Sequence, residues 1–175
     1  MKDNSDIAKY YEEKLAQHKD GPLAVDWNTE EAQQLLFFAL IDAFDQQELK
    51  TASILDVGCG LGALYSFLMQ RGFDQISYTG YDIAPSMVAE AQRRFPQARF
   101  EVRDIISEPP DETFDFAFLS GSISLRLNDH ERYVRKIIRR MFELTRQGAA
   151  FNLLSAWSLS DSTNFQMDEL RYYPN

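Results

Sequence analysis

Residues 53–62 read Ser53-Ile54-Leu55-Asp56-Val57-Gly58-Cys59-Gly60-Leu61-Gly62. The apolar run that opens this stretch is typical of a buried parallel strand. Glycines follow it, and residues 63–69 then have the apolar spacing of a helix. Glycine lets a backbone bend tightly and approach a ligand, and the free N–H groups of a helix start favour polar or negative ligand groups. The pattern predicts the nucleotide-binding turn of a doubly wound α/β fold, although a βα turn without a ligand has the same signature.

Two further acidic residues strengthen the nucleotide interpretation. Asp82 closes a second strand-like run, residues 77–81, about 20 residues after the glycines, where a carboxylate can accept hydrogen bonds from ribose hydroxyls. Asp104 closes a third run, residues 98–103. With Asp56, these acids stand at the carboxyl ends of successive predicted strands, where open α/β sheets bind ligands. An Asp at a strand end can instead cap the next helix.

Four segments resemble, in order, the motifs of the class I S-adenosylmethionine-dependent methyltransferases. They are Ile-Leu-Asp-Val-Gly-Cys-Gly-Leu-Gly at 54–62, Tyr-Asp-Ile-Ala-Pro-Ser-Met at 81–87, Arg-Asp-Ile at 103–105 and Phe-Asp-Phe-Ala-Phe-Leu-Ser at 114–120. The resemblance covers residues 53–155 and implies a Rossmann-like sheet, S-adenosylmethionine as cofactor and S-adenosylhomocysteine as product.

The resemblance also implies roles for single residues. Gly58 and Gly60 would pack against the methionyl part of the cofactor, and Asp82 would hold the ribose hydroxyls. Around the adenine it places Ile83, Met87, Asp104 and Ile105, and near the sulfonium Ser120 and Gly121. Asp56 would order the glycine turn. Cys59 belongs to the same turn, where we interpret it as a small packing residue rather than a catalytic thiol.

Composition narrows the class of protein. The 175 residues suffice for one globular domain, which we divide into an N-terminal helical lid, residues 1–50, and the cofactor-binding part, residues 51–175. The net charge of −9 disfavours a nucleic-acid partner, and the arginines of residues 132–140 are interpreted as the solvated face of an amphipathic helix. One cysteine and two histidines make no metal cluster, and a polar N-terminus with a lone cysteine suggests a cytoplasmic protein without membrane spans.

The N-terminal lid should contain two helices. Residues 7–15 predict the first, Gly21-Pro22 breaks the chain, and Asn28 or Thr29 would cap the second. In the family that this chain resembles, such helices often cover the cofactor and shape the acceptor pocket. The aromatic residues proposed for this lid, with ordinary packing as the alternative, are Tyr10, Tyr11 and Trp27.

The implied reaction is direct displacement at the sulfonium methyl, in which alignment is the main contribution of the protein. A base is needed only for a hydroxyl or a protonated amine. His130 is the first candidate and His18 the second. The alternative for this loop is a helix N-cap by Asn128 or Asp129 with an exposed histidine. Ser120-Gly121-Ser122-Ile123 lacks the prolines and the aromatic of enzymes that methylate base or glutamine amino groups. We therefore expect a small-molecule acceptor.

Two other functions remain open. Gly58, Gly60 and Ala63 also satisfy the dinucleotide pattern, so an NAD-dependent oxidoreductase is one alternative. A catalytically incomplete S-adenosylmethionine-binding protein is the other.

The C-terminal part should be short. A helix over about residues 130–145 would end at Gly148 as its C′ residue, and residues 149–155 would form a fifth, edge strand. Too few residues follow for the family's usual last strand pair. We thus expect about five parallel strands, a truncated form of a longer methyltransferase, and a homodimer formed through residues 149–157.

Overall fold

A computed structural model describes residues 4–19, 21–124 and 128–153. The helices are α1 (Asn4–His18), a 3₁₀ helix (Pro22–Val25), α2 (Glu30–Ile41), α3 (Gln46–Leu49), α4 (Ala63–Gln70), α5 (Pro85–Arg94) and α6 (His130–Glu143). The strands are β1 (Ser53–Val57), β2 (Ser77–Asp82), β3 (Arg99–Val102), β4 (Phe114–Leu119) and β5 (Thr145–Phe151).

The described strands form a single parallel sheet in the order β3-β2-β1-β4-β5. The chain reverses its direction of winding between β1 and β4, which leaves a crevice at the carboxyl ends of these strands. Helices α2, α4 and α5 pack on one face of the sheet, and α6 packs on the other. The predicted doubly wound, Rossmann-like α/β fold with about five strands is confirmed.

The amphipathic helices form where the apolar spacing predicts them. The hydroxyl of Thr29 caps α2 by accepting the N–H of Ala32 at 3.1 Å, so Thr29 rather than Asn28 is the N-cap. On α6, Arg135 pairs with Glu131 and Arg139 with Glu143, each four residues apart. These pairs lie in solvent, which agrees with a solvated basic face.

The predicted end of α6 was wrong. The helix ends at Glu143, and β5 begins at Thr145 instead of residue 149. Gly148 therefore lies inside a strand and is not a C′ residue. A Cβ atom there would come within 2.8 Å of the ring of Phe44, so the glycine allows that ring to pack directly on the strand.

Strand β5 lies at one edge of the described sheet, as expected. The expected homodimer through residues 149–157 stays a prediction, and residues 154–157 lie outside the described part of the chain. The expected truncation also stays a prediction, because it concerns residues after 153, which lie outside the described part of the chain. Within the described residues, no helix is long and apolar enough to cross a membrane.

Candidate active site

A cleft opens at the carboxyl ends of β1, β2 and β4 and is roofed by the N-terminal helices. It contains about 920 Å³ of space, including the solvent at its mouth. All of the residues that the sequence proposed for cofactor binding line it: Asp56, Gly58, Cys59, Gly60, Asp82, Ile83, Met87, Asp104, Ile105, Ser120 and Gly121.

The glycine turn has a backbone that other residues would strain. Gly58, Gly60 and Gly62 have φ values of 72°, 51° and 78°. A Cβ atom on Gly58 would lie 2.4 Å from the Cβ of Ser122, so the turn passes too close to its neighbour for a side chain. The N–H groups of Gly58 and Cys59 donate to the carbonyl of Tyr81 at 2.7 and 3.1 Å. The turn is thereby fixed to the end of β2.

Asp82 joins this turn to the next helix. One carboxylate oxygen accepts the N–H of Gly60 at 2.9 Å, and the other accepts the N–H of Ala84 at 2.9 Å. Burial raises the pKa of this carboxyl, while these backbone hydrogen bonds lower it. Each oxygen keeps a further lone pair, so the oriented carboxylate can still accept ligand hydroxyls.

Asp56 lies deeper, at 3% exposure, and accepts a hydrogen bond from the hydroxyl of Tyr78. Burial raises the pKa of Asp56 to about 7, against the lowering effect of Tyr78. Cys59 is 6% exposed, and burial raises the pKa of its thiol. A thiol held protonated in this way is a poor nucleophile, which agrees with its interpretation as a packing residue.

Asp104 borders the cleft just after β3. Its carboxylate accepts the N–H of Ile106 and the hydroxyl of Ser107, both at 2.9 Å. These local bonds show that Asp104 orders its own turn. It does not cap a helix, because none lies between β3 and β4. Asp104 nevertheless lines the cleft, and its proposed contact with adenine stays a prediction.

The floor near the end of β4 is fixed by Asn152. Its side-chain oxygen accepts the N–H of Gly121 at 3.2 Å, and its amide nitrogen donates to the hydroxyl of Ser120 at 3.1 Å. Gly121 has a φ of 78°, and a Cβ atom there would meet the ring of Trp27 at 3.2 Å. Trp27 thus lies directly over the loop that follows β4.

The roof combines α1 with α6. Ile7 and Tyr11 line the cleft together with Trp27, whereas Tyr10 is not among the lining residues. Ile7 packs against Tyr133 of α6, which also borders the cleft. Tyr10 instead donates its hydroxyl to Asp26 at 3.1 Å, beside the ion pair of Lys14 and Asp26.

Sequence reasoning proposed no role for several of the lining residues, among them Ile7, Gln33, Phe37 and Tyr133. Their apolar or helical positions carry no motif, so only the packing of distant elements brings them to the cleft. The two histidines are not among the lining residues. His130 begins α6 at 6% exposure, and His18 ends α1, so a role as base stays a prediction for both.

Comparison with known proteins gives the family. Residues 54–148 match the family model described as "Methyltransferase domain". This chain belongs to that family. The match covers the glycine turn, the acids Asp82 and Asp104, and the strand that ends at Leu119. It confirms the resemblance to class I S-adenosylmethionine-dependent methyltransferases.

Three proteins illustrate what the methyltransferase is similar to. It is 33% identical to "Putative methyltransferase Rv1506c" of Mycobacterium tuberculosis, over 69% of this chain and 72% of that one. It is 33% identical to a trans-aconitate 2-methyltransferase of Variovorax paradoxus, over 50% of this chain and 34% of that one. Its fold matches an S-adenosylmethionine-dependent methyltransferase of Clostridium acetobutylicum with a TM-score of 0.61, 20% identity and coverage of 86% and 60%. The matched stretch thus spans about a third of the trans-aconitate relative and more than half of the solved structure.

Proposed function

We propose that this methyltransferase transfers the methyl group of S-adenosylmethionine to a small-molecule acceptor. The observation that carries the proposal is the Asp82 carboxylate, which the N–H groups of Gly60 and Ala84 hold at the mouth of the glycine turn. A carboxylate fixed at this place can accept both ribose hydroxyls of an adenosyl group. The family match favours the methyl donor over NAD, the cofactor of the oxidoreductase alternative.

The residues of the cleft fit such a cofactor. The glycine turn offers a surface without side chains for the methionyl part, because a Cβ on Gly58 would clash with Ser122. The buried side chain of Met87 and that of Ile105 supply apolar contacts for a flat ring at the other end. When bound, S-adenosylmethionine supplies an electrophilic methyl carbon on a sulfonium, and S-adenosylhomocysteine is the product.

The roof supports a small acceptor. Ile7, Tyr11, Trp27 and Tyr133 enclose the cleft from α1, the following loop and α6. An acceptor must fit beside the cofactor in this closed space, so alignment by these walls supplies most of the rate enhancement. Small acceptors also appear in the names of similar proteins, such as the trans-aconitate 2-methyltransferases.

A hydroxyl acceptor would need a general base, for which His130 is the first candidate. If the acceptor is a hydroxyl and His130 removes its proton, His130→Ala lowers kcat by about 10²–10⁴ and leaves cofactor affinity unchanged. His130 is buried at the start of α6, so the melting temperature is measured in parallel. An unchanged kcat would refute the assignment and leave alignment or another base.

Titration and turnover test the proposal together. Isothermal titration of the chain with S-adenosylmethionine, S-adenosylhomocysteine and NAD should show binding of the two adenosyl amino acids and none of NAD. Turnover on a panel of hydroxyl, amine, thiol and carboxylate acceptors should then yield S-adenosylhomocysteine. Tight cofactor binding without turnover on any acceptor would support the catalytically incomplete binding protein instead.

A further inference from the structure

The residues that follow β4 and β5 are neighbours at the carboxyl edge of the sheet. Leu119, the last residue of β4, is paired with Val57 of β1 on one side and with Phe151 of β5 on the other. Ser120 and Asn152 come directly after Leu119 and Phe151, and the glycine turn comes directly after Val57. Ser120 therefore lies between the glycine turn and Asn152.

The strand order decides from which side an acceptor can approach. Asp82 and Asp104, the acids proposed for the ribose and the adenine, stand at the ends of β2 and β3, on the far side of β1 from β4. An adenosyl group bound to them fills that side of the cleft, so its acceptor has to approach from the side of β4 and β5. The loop residues on this side, Ser120 and Gly121, and the Asn152 side chain that holds them are uncharged.

Asn152 holds the loop after β4 by hydrogen bonds to three successive residues. Its backbone N–H donates to the carbonyl of Leu119 at 3.2 Å, and its side-chain oxygen accepts the N–H of Gly121 at 3.2 Å. Its amide NH₂ donates to the hydroxyl oxygen of Ser120 at 3.1 Å. Because the N–H of Gly121 can only donate, it requires the amide oxygen on its own side. The NH₂ group is therefore the end of the amide that faces Ser120.

This orientation leaves the proton of the Ser120 hydroxyl for the cleft. The hydroxyl oxygen accepts from the amide of Asn152, and a bond in the reverse direction, from Ser120 to the amide oxygen, would span 3.5 Å. Hydrogen bonds between a hydroxyl and an oxygen are normally about 2.5–3.0 Å long, so the reverse bond is weak. Since Ser120 lines the cleft, it presents a hydrogen-bond donor on the acceptor side.

A donor at this place favours one class of acceptor group. A carboxylate has two oxygens, so one can attack the methyl carbon while the other accepts the hydroxyl of Ser120. An unprotonated amine has a single lone pair, which a donated hydrogen bond would occupy when the attack needs it. A carboxylate is also ionised at neutral pH and needs no base, unlike an alcohol. This agrees with a cleft whose described lining contains neither histidine.

We propose that the acceptor is a carboxylate and that Ser120, oriented by Asn152, binds its non-reacting oxygen. The other oxygen forms a bond to the sulfonium methyl carbon, the bond between this carbon and sulfur breaks, and its electron pair stays on sulfur. The products are a methyl ester and the thioether S-adenosylhomocysteine, and no proton is transferred. Asn152 is a positioning residue, because it acts through Ser120. The inference rests on the proposed function, whose acceptor it specifies.

The class of acceptor is tested with matched small molecules. The parent chain is incubated with methyl-tritiated S-adenosylmethionine and with acetate, glutarate, benzoate or cinnamate, beside alcohols and amines on the same carbon skeletons. Dilute base releases tritiated methanol from methyl esters but not from methyl ethers or methylated amines. We expect base-labile label from the carboxylates. Turnover confined to alcohols or amines, or no ester from any carboxylate, overturns the inference.

Two variants test the orientation of the hydroxyl. Asn152→Asp keeps an acceptor for the N–H of Gly121, but its carboxylate takes the proton of Ser120, so the donor to the cleft is lost. With the best carboxylate of the panel, Asn152→Asp and Ser120→Ala should each lower kcat by about 10- to 100-fold, as expected for loss of a hydrogen bond to a charged group. Asn128→Asp, the same change at an exposed residue outside the cleft lining, is the control.

The double variant separates positioning from folding. Since Asn152 acts through Ser120, adding Asn152→Asp to Ser120→Ala should lower kcat by no more than about a further twofold. Independent losses in the double variant, or an unchanged kcat in Asn152→Asp, refute the positioning role. Isothermal titration and thermal melting of each variant show whether a loss of kcat comes from weaker S-adenosylhomocysteine binding or a weakened fold, and either cause would also refute it. A parent chain that does not bind S-adenosylmethionine refutes the proposed function itself, whereas one that binds it and methylates only amines refutes only this inference.

Discussion

The hydroxyl of Tyr78 donates a hydrogen bond to the carboxylate of Asp56, and both side chains are buried between β1 and its neighbours. Tyr78 is the first buried residue of β2, and it pairs with Ile54 of β1. Asp56 lies on β1 two residues after Ile54. The bond crosses from one strand to the next beneath the glycine turn. Burial leaves the Asp56 carboxyl group with little water around it, so its charge is unfavourable in the folded state, and the bond from Tyr78 offsets only part of this effect.

This relationship predicts a pH-dependent stability. The folded pKa of Asp56 is raised to about 7, whereas an exposed Asp titrates near pH 4. Between these values the unfolded chain has lost the proton that the folded chain keeps, so the free energy of unfolding falls as pH rises from about 4 to 7. The loss from this group is at most about 4 kcal/mol. Asp82, with a raised pKa, acts in the same direction.

Urea unfolding of the ligand-free chain at several pH values between 5 and 8 measures this. Asp56→Asn keeps an acceptor for Tyr78 but cannot ionise, so it should flatten most of the slope. Asp115, whose pKa is lowered to about 2, serves as comparison because its contribution is lost only in acid. Parallel pH profiles for the parent and Asp56→Asn would contradict the prediction.

Asp82 should control cofactor affinity. Asp82→Ala removes the acceptor of the ribose hydroxyls and the bond that holds Gly60, so binding of S-adenosylmethionine should weaken by about 2–4 kcal/mol. Isothermal titration measures the change. Asp74→Ala, at an exposed position away from the cleft, should leave affinity unchanged. If Asp82→Ala binds like the parent, its assignment to the ribose is wrong.

Gly80 should be intolerant of any side chain. It lies in β2 beside the glycine turn, and a Cβ there would come within 2.7 Å of the ring of Phe100 and 2.8 Å of the Cβ of Cys59. Gly80→Ala should therefore lower the free energy of unfolding by about 1–3 kcal/mol. Chemical denaturation checks this against Ser77→Ala at the exposed start of the same strand, which should change it by less than about 0.5 kcal/mol. An undiminished stability for Gly80→Ala would mean that the turn can shift.

The contact between α1 and Asp26 should hold the roof closed. Lys14 lies 2.8 Å from the Asp26 carboxylate, and the Tyr10 hydroxyl donates to it. Asp26→Asn removes the negative charge but keeps a residue type that tolerates the φ of 60°. If the lost ion pair contributes roughly 1 kcal/mol to the closed roof, S-adenosylhomocysteine should dissociate about fivefold faster. Stopped-flow displacement measures the rate. Lys9→Met, which breaks an exposed pair with Glu13, is the control and should not alter it.

The sequence alone determined the parts of the site that are local in the chain. The glycine turn, and Asp82 at the next strand end, follow from strand length, turn chemistry and the position of acids after strands. These signals depend on neighbours within a few residues, and the structure places Asp56, Gly58 and Asp82 in one cleft as expected. Fold class follows for the same reason, since alternating strand and helix periods specify a parallel sheet.

Tertiary structure decided what depends on distant packing. Gln33 and Tyr133 belong to helices whose apolar spacing predicts a buried face but not which cavity that face borders. Gly148 was expected to end a helix, because glycine after a basic helix is a common C′ signal. Phe44, more than a hundred residues earlier in the chain, packs against that glycine and makes it part of β5. Local periodicity cannot report such contacts, because their energy is gained only when the remote elements have come together.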